Sequence, residues 1–119
     1  MLVPTNHHQV GFEGAFITKI NGGYILSAAD WVLEPDGHRR YDCFVAAADN
    51  IYGPYGHRYI AIPHGGHNMF FKDVHGQWWS TFFGNDLKAP FRERPAILRI
   101  SINPDGSIKP TDGGAVIDK

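Results

Sequence analysis

The chain of 119 residues contains one cysteine and no cluster of basic residues. The single cysteine, Cys43, excludes an intramolecular disulfide, so disulfide bonding gives no sign of an oxidising compartment. The 11 Lys and Arg residues stand against 12 Asp and Glu residues, which makes the net charge −1. A protein that binds nucleic acid usually carries a basic patch. We therefore expect no nucleic-acid partner.

Long apolar runs are also missing. An apolar run such as Ala96 to Ile102 is interrupted by Arg99 and is far shorter than the ~20 residues of a membrane-spanning helix. The N-terminus, MLVPTNHHQV, lacks the basic start and the apolar stretch of a signal peptide. We expect no membrane partner, and the sequence leaves the compartment open.

Helical periodicity is absent as well. Every window of about twelve residues that approaches an apolar helical period contains a Gly or a Pro. Short apolar stretches are instead separated by Gly, Pro, Asn and Asp, which is typical of short strands. Hydrophobic residues make up 43% of the chain, enough for one core and not for two domains. The sequence predicts an all-β protein with residues 1–119 in one domain.

One stretch of the chain occurs twice. EGAFITKINGGYILS begins at Glu13, and HNMFFKDVHGQWWST begins at His67. At one offset (76 − 22 = 54), Gly22 aligns with Gly76, and three aromatic or aliphatic pairs also match: Phe16 with Phe70, Ile17 with Phe71 and Tyr24 with Trp78. Repeats of roughly 40 to 50 residues built from short strands are typical of β-propeller blades. We expect two partial blades of antiparallel strands, with Glu13 and His67 at equivalent positions near the propeller axis.

The two repeat units, residues 12–60 and 66–110 approximately, have the same predicted order of strands. In the first unit, Asn21-Gly22 is a strong hairpin signal. At the same offset the third strands also correspond, with Phe44 matching Leu98, Ala46 matching Ile100 and Ala48 matching Ile102. The final residues, Thr111 to Lys119, are predicted to form a loose tail.

Two blades alone leave open faces that a closed ring would bury. The sequence therefore predicts either that further blades on the N-terminal side are missing from this chain, or that several copies complete the ring as a homo-oligomer.

Several motifs, in order, resemble the five-bladed glycoside hydrolases of family 43. Phe12-Glu13-Gly14-Ala15-Phe16-Ile17 is similar to the start of that family's acid-bearing blade, and Tyr52-Gly53-Pro54-Tyr55 to its Gly-Pro-aromatic stretch. Gly66-His67, followed by Phe70-Phe71-Lys72-Asp73 and Trp78-Trp79, resembles the Gly-His blade that comes next. Arg94-Pro95 and Asp105-Gly106 resemble the outer part of that blade, so the resemblance covers about Phe12 to Pro110.

The resemblance implies roles for two residues. Glu13 matches the general acid that protonates the departing glycosidic oxygen, in a hydrolysis that inverts the sugar configuration. His67 matches the axial histidine, which implies a possible Ca2+ ion near it, held largely through water because calcium prefers oxygen ligands. No other cofactor is expected, and the implied partner is a glycan or oligosaccharide. His8 and Trp31 are the candidate sugar contacts.

The chain departs from this family in its carboxylates. An inverting enzyme needs a second carboxylate as general base, and that family's base is an Asp from an earlier blade. No Asp or Glu precedes Glu13, and no motif recommends Asp30, Asp49 or Asp73. We expect the isolated chain to be inactive unless other blades supply the base. The alternative is a non-catalytic carbohydrate-binding or structural β-domain that works only by assembling with other chains.

Other histidines and tryptophans have competing interpretations. His64 with His67, or His7 with His8, are possible pairs of metal ligands, but a zinc site usually needs three or four converging ligands. Trp78 and Trp79 are adjacent in a predicted strand and must point to opposite faces. Their alignment with Tyr24 and Ile25 favours packing between blades over a sugar-binding role.

Overall fold

The computed structural model describes residues 10–86, 88–89 and 93–116, the last five through their backbone alone. This part of the chain contains eight strands and no helix, and hence no helix able to cross a membrane. The strands are β1 (Glu13–Ile20), β2 (Gly23–Leu33), β3 (Arg39–Ala48), β4 (Tyr59–Ile62), β5 (Phe70–Lys72), β6 (Trp78–Phe83), β7 (Pro95–Ile102) and β8 (Ile108–Val116).

The strands form two four-stranded antiparallel sheets. The first sheet has the order β1-β2-β3-β4 and the second has the order β5-β6-β7-β8. In each sheet every strand pairs with its neighbour in sequence, which is the meander of a propeller blade. The all-β fold with two partial blades is therefore confirmed.

The first hairpin follows from its turn residues. Ile20 pairs with Gly23 across the two-residue loop Asn21-Gly22, and both loop residues have positive φ, 52° and 84°. This is the backbone that an Asn-Gly hairpin loop adopts at little steric cost. In the second hairpin, Lys72 pairs with Trp78, and the Asp73 carboxylate accepts hydrogen bonds from backbone N–H groups of the turn.

The pairing register corrects the predicted match of the third strands. Phe16 pairs with Ser27 and Phe70 pairs with Ser80, so the buried serines are equivalent and the offset is 53 (80 − 27). Ser27 pairs with Val45, and Ser80 pairs with Leu98. The counterpart of Leu98 is therefore Val45, and the match of Phe44 with Leu98 was wrong by one residue.

A register shift of one position changes the face that a side chain occupies, because alternate residues of a strand point to opposite faces. Val45 and Leu98 lie in the core between the sheets, whereas Phe44 packs in a separate cluster with Val10 and Ala28. An offset taken across a whole repeat does not account for hairpins of different length.

The predicted loose tail was wrong over most of its length. Strand β8 runs through Val116 and pairs with β7. Its first residue, Ile108, donates its backbone N–H to the Tyr59 hydroxyl of β4 at 2.8 Å, which ties the outer strands of the two sheets together.

The core lies between the two sheets. Buried side chains from both sheets form one cluster: Ile20, Ile25, Cys43, Val45, Ala61, Ile62, Phe70, Phe82, Leu98, Ile100 and Ile108. Trp78 packs against this cluster, while Trp79 points to the opposite face and donates its indole N–H to Asp73. Burial raises the pKa of the Cys43 thiol, so Cys43 behaves as a small apolar core residue.

Candidate functional site

Glu13 and His67 lie opposite each other although 54 residues separate them. Glu13 is the first residue of β1, and His67 belongs to the segment that leads from β4 to β5. The Glu13 Oε2 and His67 Nδ1 atoms are 3.8 Å apart, and the side chains are 43% and 57% exposed. The structure therefore brings the two predicted residues together at an accessible position.

Two glycines allow this approach. A Cβ atom at Gly66 would lie 2.7 Å from the Ala29 Cβ and 2.8 Å from the Tyr41 Cε2. A Cβ atom at Gly14, where φ is 68°, would lie 2.9 Å from the His67 Cγ. Only glycine permits such close contacts, so the segment before β5 can lie directly against the first sheet.

Tyr41 lies against Trp31 and next to Gly66, the residue before His67. Trp31 of β2 pairs with Tyr41 of β3, and their ring centroids are 4.7 Å apart with a tilt of 49°. Glu13 pairs with Ala29, two residues before Trp31, so all three side chains share one face of the sheet. Burial raises the pKa of Tyr41 to about 12, and the negative charge of Glu13 adds to this rise.

Trp31 is thus half-buried against the Tyr41 ring, on the same face of the sheet as Glu13. Sequence reasoning placed Tyr41 only at the start of a strand. The available signal was its position as the aromatic residue across the turn from Trp31. The other proposed sugar contact, His8, lies outside the described residues.

The aspartates considered as a general base lie elsewhere. Asp30 follows the pairing partner of Glu13, but strand alternation directs it to the opposite face, where it binds Arg58 at 2.8 Å. Asp49 lies past the end of β3, six residues beyond the level of Glu13, or about 20 Å at 3.3 Å per residue. Asp73 is held in the turn between β5 and β6.

A buried charged cluster lies close to the site, and sequence reasoning missed it. The ring Nδ1 of His64 lies 2.9 Å from the Asp86 carboxylate, and the His64 backbone N–H donates to Asp42 at 2.9 Å. The Arg40 guanidinium donates to the other oxygen of Asp42 at 2.6 Å. Burial alone would raise the pKa of Asp86, but hydrogen bonds from the Tyr41 N–H, the His64 ring and the Lys88 N–H hold it below its ordinary value.

No metal centre is evident in the described part of the chain, where no group of three or more His, Cys, Asp or Glu side chains is placed to hold an ion. The His64 ring is bonded to Asp86, so it does not converge with His67. A recess of about 580 Å3 surrounds the Asn21-Gly22 and Asp105-Gly106 turns instead, and it contains neither Glu13 nor His67.

The fold and this geometry define a class: a two-blade portion of a β-propeller with a carboxylate-histidine pair where β1 begins. No protein-family model and no curated protein matches the chain. Solved structures do match it. An exo-1,5-α-L-arabinanase from a bovine ruminal metagenomic library superposes with a TM-score of 0.68 and 18% identity, over 83% of this chain and 38% of that one.

Two further solved structures agree. An α-L-arabinanase of Cellvibrio cellulosa, complexed with arabinohexaose, matches with a TM-score of 0.67 and 18% identity, over 84% of this chain and 36% of that one. A glycoside hydrolase family 43 protein of Bacillus licheniformis matches with a TM-score of 0.60 and 18% identity, over 82% and 21%. The resemblance to family-43 propellers is thus confirmed at the level of fold, and the chain spans well under half of these proteins.

Proposed function

We propose that this chain carries the general-acid part of a glycosidase active site, which hydrolyses a glycosidic bond with inversion. The observation that carries the proposal is the placement of Glu13 at an exposed strand end, 3.8 Å from His67 and on the same face as Trp31. A carboxylic acid, an imidazole and an aromatic ring on one face suit a sugar, which offers hydroxyl groups and an apolar ring face.

Glu13 would donate its proton to the leaving oxygen as the oxocarbenium-like transition state forms. Trp31 would bind the apolar face of a sugar, since its ring is held against buried Tyr41. His8 is proposed as a further sugar contact. These roles leave the second carboxylate unassigned.

We propose that the base comes from outside the described residues. Inversion needs a carboxylate about 6.5 to 9.5 Å from the acid, with room for water between them. Asp30 points to the other face, and Asp49 lies at the far end of the sheet. We propose that further blades, or further copies of this chain, place an aspartate across from Glu13.

We propose a calcium ion near His67 only in an assembly in which other blades supply most of its ligands. Calcium takes six to eight oxygen ligands, and among the described residues Glu13 is the one carboxylate that approaches His67. The described residues by themselves therefore do not form a calcium site. An ion there would be bound through water and by oxygen ligands from other blades.

The alternative is a non-catalytic glycan-binding or structural β-domain that works by assembling with other chains. The engagement of Asp30, Asp42, Asp73 and Asp86 in hydrogen bonds or ion pairs favours it. In the glycan-binding form a glycan would still bind at Trp31, whereas in the structural form it would not, and in neither form would any fraction of the protein hydrolyse it.

Glycan titration with hydrolysis assays tests these proposals. Arabinohexaose and xylohexaose are added to the 15N-labelled chain, and each oligomeric fraction is assayed for released sugar. We expect shifts at Glu13, Trp31 and His67, and binding weakened about tenfold or more by Trp31→Ala, as for an interface hot spot. Absence of binding by both glycans in every fraction would refute the glycosidase and the glycan-binding domain, and it would leave the structural β-domain.

Hydrolysis separates the two proposals. If a fraction is active, Glu13→Gln should abolish release while Asp49→Asn, which removes an exposed carboxylate at the far end of the sheet, should not. Full activity of Glu13→Gln would refute the role of Glu13. Binding without hydrolysis in every fraction, including mixtures with separately produced N-terminal blades, would favour the binding domain.

A further inference from the structure

The segment that carries His67 has an unusual backbone. Between β4 and β5 the chain runs through residues 63–69, and both His64 and His67 have positive φ, 64° and 63°. Residues with a Cβ atom seldom adopt this conformation, and such strain persists only where surrounding contacts impose it. The contacts of this segment therefore indicate what holds His67 in place.

Asp86 makes the central contact. Its side chain is 2% exposed and accepts three hydrogen bonds: from the His64 ring at 2.9 Å, from the Tyr41 backbone N–H at 2.8 Å and from the Lys88 backbone N–H at 2.9 Å. One carboxylate of the second sheet's loop thus holds the segment before β5 and the start of β3 together.

Other polar groups complete the attachment. Asp42 accepts the His64 backbone N–H, and the Gly66 carbonyl accepts the Phe83 N–H at 2.9 Å. The Asn68 amide donates to the carbonyl groups of Gly65 and Thr81, at 2.8 Å each. The segment is therefore fixed at both ends, and the His64 ring is the one side chain through which Asp86 reaches it.

We propose that Asp86 is a positioning residue of the Glu13 site. Its hydrogen bond to His64 holds His67 opposite Glu13, and its hydrogen bond to the Tyr41 backbone holds the Tyr41 ring against Trp31. The proposal concerns the geometry of the site, and it rests on the proposed function only for the view that a glycan uses this geometry. Sequence reasoning singled out neither Asp86 nor its partners for this role.

A carboxylate suits this position better than an amide. A carboxylate has two oxygens and about four lone-pair sites, so it can accept all three hydrogen bonds at once. An asparagine has one acceptor oxygen, and its NH2 group would face at least one of these donors. Asp86→Asn should therefore release part of the network while leaving the shape of the side chain almost unchanged.

The experiment measures how far Glu13→Gln shifts the NMR resonances of the His67 ring, first with Asp86 in place and then in Asp86→Asn. The ring resonances of His67 are recorded by NMR in the wild-type chain and in Glu13→Gln, and again with Asp86→Asn in both backgrounds. In the wild-type background, Glu13→Gln should shift these resonances because the two side chains are in contact. With Asp86→Asn, the shift caused by Glu13→Gln should be lost, which is the non-additivity of a coupled network.

Asp73→Asn is the matched control. Asp73 also accepts three hydrogen bonds, from His75, Gln77 and Trp79, and it fixes a turn of the same sheet away from Glu13. It should leave the response of His67 to Glu13→Gln intact, even if it lowers stability.

Two results would overturn the proposal: an unchanged His67 response in folded Asp86→Asn, or an equal loss of that response in Asp73→Asn. If Asp86→Asn does not fold, His64→Ala and His64→Gln answer the same question. The alanine should remove the response, and the glutamine, which can still donate to Asp86, should restore it. None of these measurements needs a glycan, so the proposal can fail or hold independently of hydrolysis.

Discussion

At the scale of single residues, the site depends on close contacts that few side chains allow. Gly66 lies against Ala29 and Tyr41, and Gly14 lies against His67. His67 itself keeps a left-handed backbone although its ring is mostly exposed. An exposed residue that retains strain is a reason to look for function at that position.

Gly66→Ala should destabilise the chain. Its new Cβ would lie 2.7 Å from the Ala29 Cβ, so backbone or ring must move, at a cost of about 1 to 3 kcal/mol. Urea unfolding would measure the loss. Gly23→Ala is the control, since its nearest neighbour would be 3.5 Å away and its φ is not positive. Equal stability of the two variants would contradict this packing.

His67→Gly should stabilise the chain while removing the proposed site. Relief of the left-handed backbone is worth roughly 1 kcal/mol, and the exposed ring contributes little packing. His75→Gly makes the same replacement at an exposed histidine without positive φ, and it should destabilise the chain. Free energies of unfolding from urea titrations test the difference. A loss of stability in His67→Gly would mean that the ring contributes more than the strain costs.

At the scale of elements, the sequence predicted the first hairpin correctly but not the register of the third strands. The first hairpin agrees with its Asn-Gly signal, because two residues are enough to specify a tight turn. The third strands were matched one residue out of register, because register depends on which neighbours cover each face. Strand β8 was missed because its pairing with β7 is visible only once the sheet exists.

The loop between β6 and β7 should make stability depend on pH. The pKa of Asp86 lies below its ordinary value of 3.8, so its stabilising effect is fully present above that pH and is lost as the pH falls through the lower pKa. At pH 7, Asp86→Asn should cost about 1 to 3 kcal/mol, because donors that Asp86 satisfies lose their acceptor.

Urea unfolding of both chains across acidic pH tests this dependence. The difference in free energy of unfolding between wild type and Asp86→Asn should narrow as the pH falls below 3.8. The difference between the chains isolates Asp86 from other aspartates with lowered pKa values, such as Asp73 and Asp105. A difference that widens as the pH falls below 3.8 would contradict the lowered pKa of Asp86.

At the scale of the whole molecule, the two sheets cover each other on one side only. On the outer face of the first sheet, the Arg58 guanidinium lies 4.0 Å from the Phe44 ring centroid and also binds Asp30. On the outer face of the second sheet, Phe71 pairs with Trp79 and is 37% exposed. Ile17 and Ile60, on the outer face of the first sheet, are 41% and 39% exposed, so both sheets present apolar side chains on their outer faces.

We expect the purified chain to form a discrete oligomer heavier than its 13.3 kDa, through the outer faces of its sheets. Phe71→Asp should lower the mass in light scattering, because it places a charge on an apolar outer face, next to Trp79. Val74→Asp changes a more exposed apolar residue that lies in the turn, off this face, and it should leave the mass unchanged. A monomer at all concentrations would contradict self-assembly and leave separate blades as the partner.

The sequence by itself determined the class of fold with two partial blades and the first hairpin, and it singled out Glu13 and His67, which the structure brings within 3.8 Å. These follow from composition, turn residues and an offset, all of which are local or periodic features. Only the tertiary structure decided the register of the third strands, the existence of β8, and the contacts of Tyr41 and Asp86. Those features arise where segments far apart in the chain pack together, and a buried hydrogen-bond network leaves no periodic pattern in the sequence.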